Sequence, residues 1–492
     1  MDNVLLKLFE RSRKTFSRKS FLSKAIDMLS LSSTIAAVST PRGKGGIATI
    51  RISGTDAIAV AEKMFVPRSA KKLGEYTART AVFGSIKDED DEICDEGVAL
   101  VFRAPASFTG EDTVEITCHG GLSVTEAVYL SALAHGATAA GPGEFTKRAF
   151  INGKLSLTEA EAVGRLIDAD TKERMKLSSG GLRGNVSREI REISDGMLDT
   201  MTALYAAIDY PEEDVGDEGE RNIAQTIGSS LARVEKLLST YKVGKAVADG
   251  VRCVICGRPN VGKSSLFNLM TGEDTAIVTS VEGTTRDILR ETVSFGGITL
   301  RLSDTAGLRR SGDTVEMIGI DRAGAEIDSA ELIIAVFDGS EPLRKEDIDL
   351  TGRLKNASAP VICVINKADA GERLSAEDTE KIYAISASVV RLSAGGEKKD
   401  SSALSDEVSR IFGSGEINLS SDAVIWDIRQ REQLEHAKTA LRAASDAILG
   451  GDSIDCVCTL AEEAMAALDE TDGRGVDERI VGEIFSRFCV GK

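Results

Sequence analysis

Gly257-Arg258-Pro259-Asn260-Val261-Gly262-Lys263-Ser264 lies between the apolar run Val251-Arg-Cys-Val-Ile-Cys256 and the run Ser265-Leu-Phe-Asn-Leu-Met270. The spacing G-x-x-x-x-G-K-S between a strand-like and a helix-like run lets several backbone N–H groups converge on a phosphate at a helix N-terminus. Lys263 is then expected to neutralise the β- and γ-phosphates, and the Ser264 hydroxyl to take one place on a magnesium ion. The competing reading, a Gly-rich turn without a ligand, is disfavoured by the further guanine-nucleotide elements spaced along the next hundred or so residues.

Thr284 and Thr285, inside Gly283-Thr-Thr-Arg-Asp287, can supply a second magnesium hydroxyl and a loop that senses the γ-phosphate. Asp304-Thr305-Ala306-Gly307 comes after the strand-like Ile298-Thr-Leu-Arg-Leu-Ser303, so that Asp304 can face the metal's water shell and the Gly307 N–H the γ-phosphate. Asn366-Lys367-Ala368-Asp369 ends the apolar run Pro360-Val-Ile-Cys-Val-Ile365. A carboxylate at Asp369 can accept both N–H groups on the Watson–Crick edge of guanine, a pattern adenine lacks. Four such elements in order point to GTP.

A chain of 492 residues accommodates several domains, each with its own core. The formal charge of −18 argues against a surface that grips nucleic acid throughout, so a nucleic-acid substrate would need a local basic patch or a basic partner. Eight scattered cysteines form no disulfide framework. Cys253-x-x-Cys256 lies within the strand-like run and has no second pair to complete a tetrahedral metal set, so both are read as core cysteines, as are Cys456 and Cys458. With only His119, His135 and His436 there is no histidine-based metal cluster, and no apolar run reaches the roughly 20 residues that cross a bilayer.

Residues 1–27 are basic, contain Ser and are poor in acids, which fits either an organellar targeting segment or an upstream extension ahead of Met28. Residues 1–30 are expected to be a disordered N-terminal extension. From Thr34, short strand-like runs (35–38, 47–52, 80–86, 96–102, 114–119) and helices (56–64, 122–135) predict a compact α+β domain over 31–150. Val186, Ile190, Ile193, Met197, Met201, Leu204 and Ile208 recur at three- and four-residue steps and predict a helix with an apolar stripe. The acidic, proline-containing run Asp209–Glu220 is expected to be a solvated loop, with a helix over 221–243 after it. Strands and helices alternate over 250–413, and the pattern is helical again from 414. A discontinuous helical domain (151–249 and 414–492) split by an inserted α/β nucleotide domain is the economical architecture, and it requires 155–248 and 414–492 to pack together.

Two features of the site are unusual. Leu308 stands directly after Asp304-x-x-Gly307, where Ras-type GTPases carry a water-orienting Gln, so a different residue must hold the attacking water or hydrolysis will be slow; the nearby acids are Asp313 and Glu316. Asn260 could help coordinate a monovalent cation beside the phosphates; Arg309 and Arg310 compete for the same charge-supplying role.

From about Leu31 to Lys492 the chain resembles the MnmE (TrmE) family of tRNA-modification GTPases. The resemblance rests on Ser39-Thr-Pro-Arg-Gly-Lys-Gly-Gly46, Ile50-Arg-Ile-Ser-Gly54, Ser107-Phe-Thr-Gly-Glu-Asp112, His119-Gly-Gly121, Pro142-Gly-Glu-Phe-Thr-Lys-Arg-Ala-Phe150, Asn152-Gly-Lys-Leu155, Glu159-Ala-Glu-Ala162 and Phe488-Cys-Val-Gly-Lys492. It implies a multidomain α+β and α/β fold: an N-terminal folate-binding and dimerising domain, a discontinuous helical domain and an inserted Ras-like P-loop GTPase domain. It further implies a homodimer in the cytoplasm (or an organelle, if residues 1–27 are a targeting segment), with no membrane. The homodimer works with an MnmG-type FAD- and NADH-using protein on the wobble uridine of certain tRNAs, and the carbon donor is 5,10-methylene- or 5-formyl-tetrahydrofolate.

Carried over by motif, Arg51, Glu115, Lys154 and Lys492 fall at folate-contacting positions, and Asn260, Thr279, Val281 and Thr284 at the ligands of a potassium ion completed when two G domains meet. The resemblance thereby favours the cation over the arginines and gives the water-handling role to Glu316, beside Lys263 in the catalytic set. Magnesium falls to Ser264 and Thr285. The implied GTP contacts are Asn260, Val261, Gly262, Lys263, Ser264, Ser265, Thr279, Thr284, Thr285, Asp304, Thr305, Ala306, Gly307, Asn366, Lys367, Asp369, Ser393 and Ala394. The Ser-Ala element that backs guanine is doubled, as Ser386-Ala387 and Ser393-Ala394; the second is preferred because Val389–Leu392 makes a better strand leading into it. Cys489 is either a functional thiol or a packed cysteine. An Era/Der-type ribosome-assembly switch is the alternative, and it would require a C-terminal RNA-binding βα module with a G-x-x-G loop.

Overall fold

The computed structural model describes residues 33–209, 216–272, 290–303, 326–396, 400–476 and 478–491. They fall into two compact units: one comprises the chain up to Ala160 together with the residues from Val476, the other runs from Glu161 to Gly475.

The first unit is built on a seven-stranded sheet. In chain order its strands are β1 (Ile35–Val38), β2 (Ile47–Ser53), β3 (Phe65–Pro67), β4 (Ala81–Lys87), β5 (Ile93–Phe102), β6 (Thr113–His119) and β7 (Thr138–Ala139), arranged β3-β4-β5-β6-β2-β1-β7. All pairings are antiparallel except β1 with β7. Alternation decides the faces. On β2, Ala48, Ile50 and Ile52 turn into a core shared with α1 (Ala57–Met64) and α2 (Leu122–Ala134), while Arg51 turns to the other face. In α1, Ala57, Val60, Ala61 and Met64 repeat at three- and four-residue steps and are all buried, the amphipathic pattern expected of a helix laid on a sheet. The second face meets α3 (Glu144–Ile151), whose Phe145 is buried with Ile35, Ala37 and Ala140.

The helix Glu478–Ser486 belongs to this unit as well: Val481 and Phe485 bury against Leu157 and Ala160, and the Phe485 ring lies 6.3 Å from Phe150. The expectation that 414–492 packs with 155–248 is met in two separate places: Glu478–Ser486 meets Leu157 and Ala160 in the first unit, whereas 419–472 pack on 161–248 in the second.

In the second unit, α4 (Leu157–Ile167, entering from the first unit) and α5 (Lys172–Leu182) lead to the long α6 (Asn185–Asp209). The stripe Val186, Ile190, Ile193, Met197, Met201 and Leu204 is buried as its spacing predicts. The next helix, α7, runs from Gly216 to Ser239, and α8 from Tyr241 to Ala248. Both differ from the sequence-based expectation. Residues 216–220 of the acidic run are helical rather than loop, since a helix N-terminus favours acidic residues through its dipole. The single helix expected over 221–243 is interrupted at Thr240, whose hydroxyl donates to the Leu237 carbonyl at 2.7 Å and accepts the Ile425 N–H at 3.1 Å.

The nucleotide portion interrupts this bundle with β8 (Val251–Cys256), α9 (Lys263–Thr271), β9 (Arg290–Phe295), β10 (Ile298–Ser303), β11 (Leu332–Asp338), α10 (Lys345–Leu354), β12 (Val361–Asn366), α11 (Ala376–Tyr383), β13 (Ser388–Arg391) and α12 (Ser402–Phe412). Its six strands are ordered β13-β12-β11-β8-β10-β9, all parallel except β9 against β10. Strands β8, β11 and β12 are near-continuous apolar runs because helices cover both faces of a parallel sheet. The chain then completes the bundle with α13 (Ile428–Gly450) and α14 (Ile454–Asp472). A capping box from Asp427 and Gln430 starts α13, Gly451 in the left-handed region ends it, and the pair buries Leu434, Leu441, Ala461 and Leu468 against α6 and α7.

All eight cysteines are free thiols. Cys253 and Cys256 are buried in β8, where desolvation pushes the thiol of Cys256 up to about 12, so neither is poised for redox or metal chemistry. Cys458 is buried on α14, but Cys456 is exposed, a correction to the core reading of that pair: two residues apart on a helix, they face different directions.

Candidate functional site

The phosphate loop leaves β8 at Gly257, whose φ is 151° and whose absent Cβ would lie 2.4 Å from the Val336 carbonyl on β11. Gly262 (φ 100°) is equally constrained, since a Cβ there would lie 2.1 Å from Asn366 Nδ2. Between them Asn260 adopts φ 64°, a left-handed conformation that Asn tolerates better than most residues. Lys263 opens α9 and folds its ammonium back over the loop, donating to the carbonyls of Gly257 and Arg258 at 2.9 Å each. Ser264 comes next, in the first turn, with Ser265 beside it.

The segment Asn366-Lys367-Ala368-Asp369 is tied directly to this loop. Asn366, buried at the end of β12, donates from Nδ2 to the Val261 carbonyl at 2.8 Å and accepts the Ala394 N–H on Oδ1 at 2.9 Å. The Asp369 N–H donates to Ser393 Oγ at 3.0 Å, leaving the Asp369 side chain exposed. One side chain thus fixes the spacing of three loops, all at the C-terminal ends of parallel strands, the edge at which open α/β sheets bind ligands. Ser386 and Ala387 lie at the opposite end of β13, where the Ala387 N–H bonds the Val361 carbonyl at 2.8 Å. The geometry supports Ser393-Ala394. Thr279, Val281, Thr284, Thr285, Asp304, Thr305, Ala306, Gly307, Leu308, Arg309, Arg310, Asp313, Glu316 and Lys492 lie outside the described residues.

The first unit holds a second constellation. Arg51 on β2 and Glu115 on β6 stand directly opposite in the antiparallel ladder, and Arg51 Nε donates to Glu115 Oε1 at 2.8 Å. The guanidinium lies 5.6 Å from the ring centre of Phe108 and 5.5 Å from that of Phe145. The Phe108 loop also receives Lys154, whose ammonium donates to the Pro105 carbonyl at 3.0 Å, and Asn152, which donates to the Thr109 carbonyl at 2.7 Å. Beneath them Arg148, fully buried, pairs with Glu111 at 3.1 Å and Glu144 at 2.9 Å.

The terminal segment is clamped to the same sheet. Val490 bridges Pro142, Ser39 Oγ donates to the Gly491 carbonyl at 3.1 Å, and a Cβ on Gly491 would lie 2.3 Å from the Val38 carbonyl. The β2–β6 pairing puts Arg51 and Glu115 side by side on one face, and Lys154 meets the adjoining Phe108 loop. Cys489 is exposed. The two aromatic rings and the buried Arg148 were not singled out from sequence, although Phe108, Phe145 and Arg148 all sit inside the quoted motifs.

A phosphate loop and a guanine loop on a mostly parallel sheet, inserted into a helical bundle and accompanied by an α+β unit, define a G domain carried in a larger protein. Residues 34–154 match the family described as GTP-binding protein TrmE N-terminus, and residues 157–489 match the MnmE helical domain. Curated relatives named tRNA modification GTPase MnmE are 38% identical over 460 residues in Lactobacillus helveticus, covering 93% of this chain and 98% of theirs, and 40% identical over 460 residues in Symbiobacterium thermophilum, covering 93% and 99%. The chain belongs to the MnmE family.

Proposed function

We propose that this chain hydrolyses GTP in the service of tRNA modification. With an FAD-dependent MnmG-type partner it adds an aminomethyl or carboxymethylaminomethyl group to C5 of the wobble uridine. The observation that carries the GTP half is the pair of hydrogen bonds Asn366 makes to Val261 and Ala394, which supports a role for the nearby Asp369 carboxylate in reading guanine beside the phosphate cradle. Kinship with proteins named tRNA modification GTPases carries the tRNA half. The cytoplasm is the proposed setting, and no helix among the described residues is long and apolar enough to cross a membrane. An Era/Der-type switch loses ground because residues 414–491 hold no β-strand among those described. Wobble uridines from cells lacking this gene should lose the C5 substituent by mass spectrometry; unchanged uridines would remove the assignment.

One observation among the described residues supports a bound polar molecule in the first unit. Two buried hydroxyls without hydrogen-bond partners, Ser107 Oγ and Thr146 Oγ1, belong to the residues next in sequence to Phe108 and Phe145, the rings that Arg51 meets, as expected where a polar molecule completes the site. A tetrahydrofolate held by Arg51, Glu115, Lys154 and Lys492 would supply the carbon unit. At the phosphates, magnesium on Ser264 and Thr285 would offset charge. Potassium on Asn260, Thr279, Val281 and Thr284 would supply the positive charge that an arginine finger supplies elsewhere.

Glu316 is assigned to hold the attacking water that Leu308 cannot. Phosphate release should therefore require potassium and rise with protein concentration as two G domains pair. In the same assay Glu316→Ala should lower kcat by about 10²–10⁴-fold at unchanged GTP affinity. Full activity in sodium at high dilution would return Arg309 and Arg310 to the role. Equal, small effects of Glu316→Ala and Asp313→Ala would show the carboxylate to be misassigned.

A further inference from the structure

Arg258, the first variable position of the phosphate loop, keeps its backbone in the cradle and sends its side chain away from it. Its carbonyl accepts Lys263 Nζ at 2.9 Å, whereas its guanidinium, 6% exposed, is sunk among three carboxylates. Nε donates to Asp347 Oδ2 at 3.0 Å, Nη2 bonds Glu341, and Nη2 lies 3.8 Å from Asp338 Oδ2. Asp347, on α10, also accepts the Arg344 N–H at 3.0 Å, and Glu341 is further paired with Arg344 at 2.6 Å.

Asp338 ends β11 and is 3% exposed. Its Oδ1 accepts the N–H of Ser340 at 3.0 Å and the Ser340 hydroxyl at 2.6 Å, while its Oδ2 accepts Lys367 Nζ at 2.6 Å. Lys367 stands between Asn366 and Asp369 with φ 60°, a left-handed conformation that persists only when its surroundings hold it. The backbone repeats the link: the Gly339 N–H donates to the Asn366 carbonyl at 2.9 Å. Buried charges in this cluster are tolerated only because each is paired, so removing one member unsettles the others.

We propose that Arg258 and Asp338 are positioning residues for guanine selectivity. Through Asp338 the side chain of the phosphate loop and the ammonium of Lys367 share one buried carboxylate. The cluster thereby fixes where the Asp369 loop stands relative to the cradle, although neither Arg258 nor Asp338 is among the proposed nucleotide contacts. The inference rests on the GTP reading above. A cluster that served only to stabilise the domain would, on disruption, weaken every nucleotide alike.

The test uses the full chain and compares dissociation constants for GDP and IDP, which lacks the exocyclic amine that a carboxylate at Asp369 would accept. Arg258→Met and Asp338→Asn should each reduce the preference for GDP over IDP by about tenfold, a common size for coupling between sites. The double variant should lose no more than the worse single one, because both break the same connection. Arg258→Lys, which keeps the charge, should restore part of the preference, and if Arg258→Met does not fold, Asp338→Asn and Arg258→Lys carry the comparison. A preference unchanged in Asp338→Asn, whatever its melting temperature, or effects that multiply in the double variant, would overturn the proposal. A wild-type chain that binds GDP no better than IDP would instead sink the guanine reading itself.

Discussion

Gly262→Ala is expected to abolish measurable nucleotide binding while leaving the rest of the protein folded. The added methyl meets two obstacles at once. At φ 100° a side chain is strained by about 1–3 kcal/mol, and the Cβ would lie 2.1 Å from Asn366 Nδ2, well inside contact distance. Asn366 cannot yield without losing its bonds to Val261 and Ala394, and each buried polar group left unsatisfied costs about 1–3 kcal/mol. The sum lies on the order of 3–9 kcal/mol, and since the loop relaxes to escape it and must be forced back into shape to bind, affinity should fall by about 10²–10⁶-fold. Gly352→Ala on α10 provides the comparison, since a Cβ there meets nothing within 4 Å and the helix should gain slightly. Titration with GDP checks the first variant and thermal unfolding the second. GDP affinity within about threefold of wild type in Gly262→Ala, a difference under 1 kcal/mol, would remove the phosphate-cradle reading.

Arg51→Ala and Glu115→Ala should abolish tRNA modification and leave GTP hydrolysis near normal. The two residues belong to the first compact unit and the phosphate loop to the second, so chemistry at one should be separable from turnover at the other. Each substitution also strands a partner. With side chains only 16% and 23% exposed, the surviving charge is poorly solvated, and the first unit will lose some stability as well as a ligand contact. The double variant separates these effects: it removes both charges, should recover part of the lost melting temperature, and should still fail to modify tRNA. Mass spectrometry of wobble uridines together with phosphate release measures both activities. A variant that loses hydrolysis and modification together would indicate misfolding rather than a carbon-donor site.

What could be read from sequence is what short-range rules govern. The phosphate loop was legible because its glycines and lysine act within eight residues, and α6 because an apolar stripe at helical spacing has only one sensible partner, a buried face. The preference for Ser393-Ala394 over its double rests on the strand leading into it, and Ser388–Arg391 is that strand, with the Ala394 N–H bonded to Asn366. Contacts set by tertiary placement stayed hidden. Nothing local announces that Arg51 faces Glu115 across a ladder, that Arg258 finds Asp338 and Asp347, or that the helix Glu478–Ser486 joins the first unit. The break at Thr240 was missed for the same reason, since the group its hydroxyl serves, the N–H of Ile425, is supplied from far along the chain.

The clamp of Val490 and Gly491 on Pro142 and Ser39 has a consequence for biosynthesis. A nascent chain emerges N-terminus first, and domains generally fold as they are completed. The sheet that carries Arg51 and Glu115 can form early, but its terminal strip and the helix behind Phe150 arrive only after the whole of 161–475 has been made. The unit begun first is therefore finished last. A ribosome that stalls or terminates within the final stretch of codons would release a chain whose G domain and bundle are whole and whose first unit lacks its closing segment, so the proposed carbon-donor site and the G domain can be uncoupled by truncation alone.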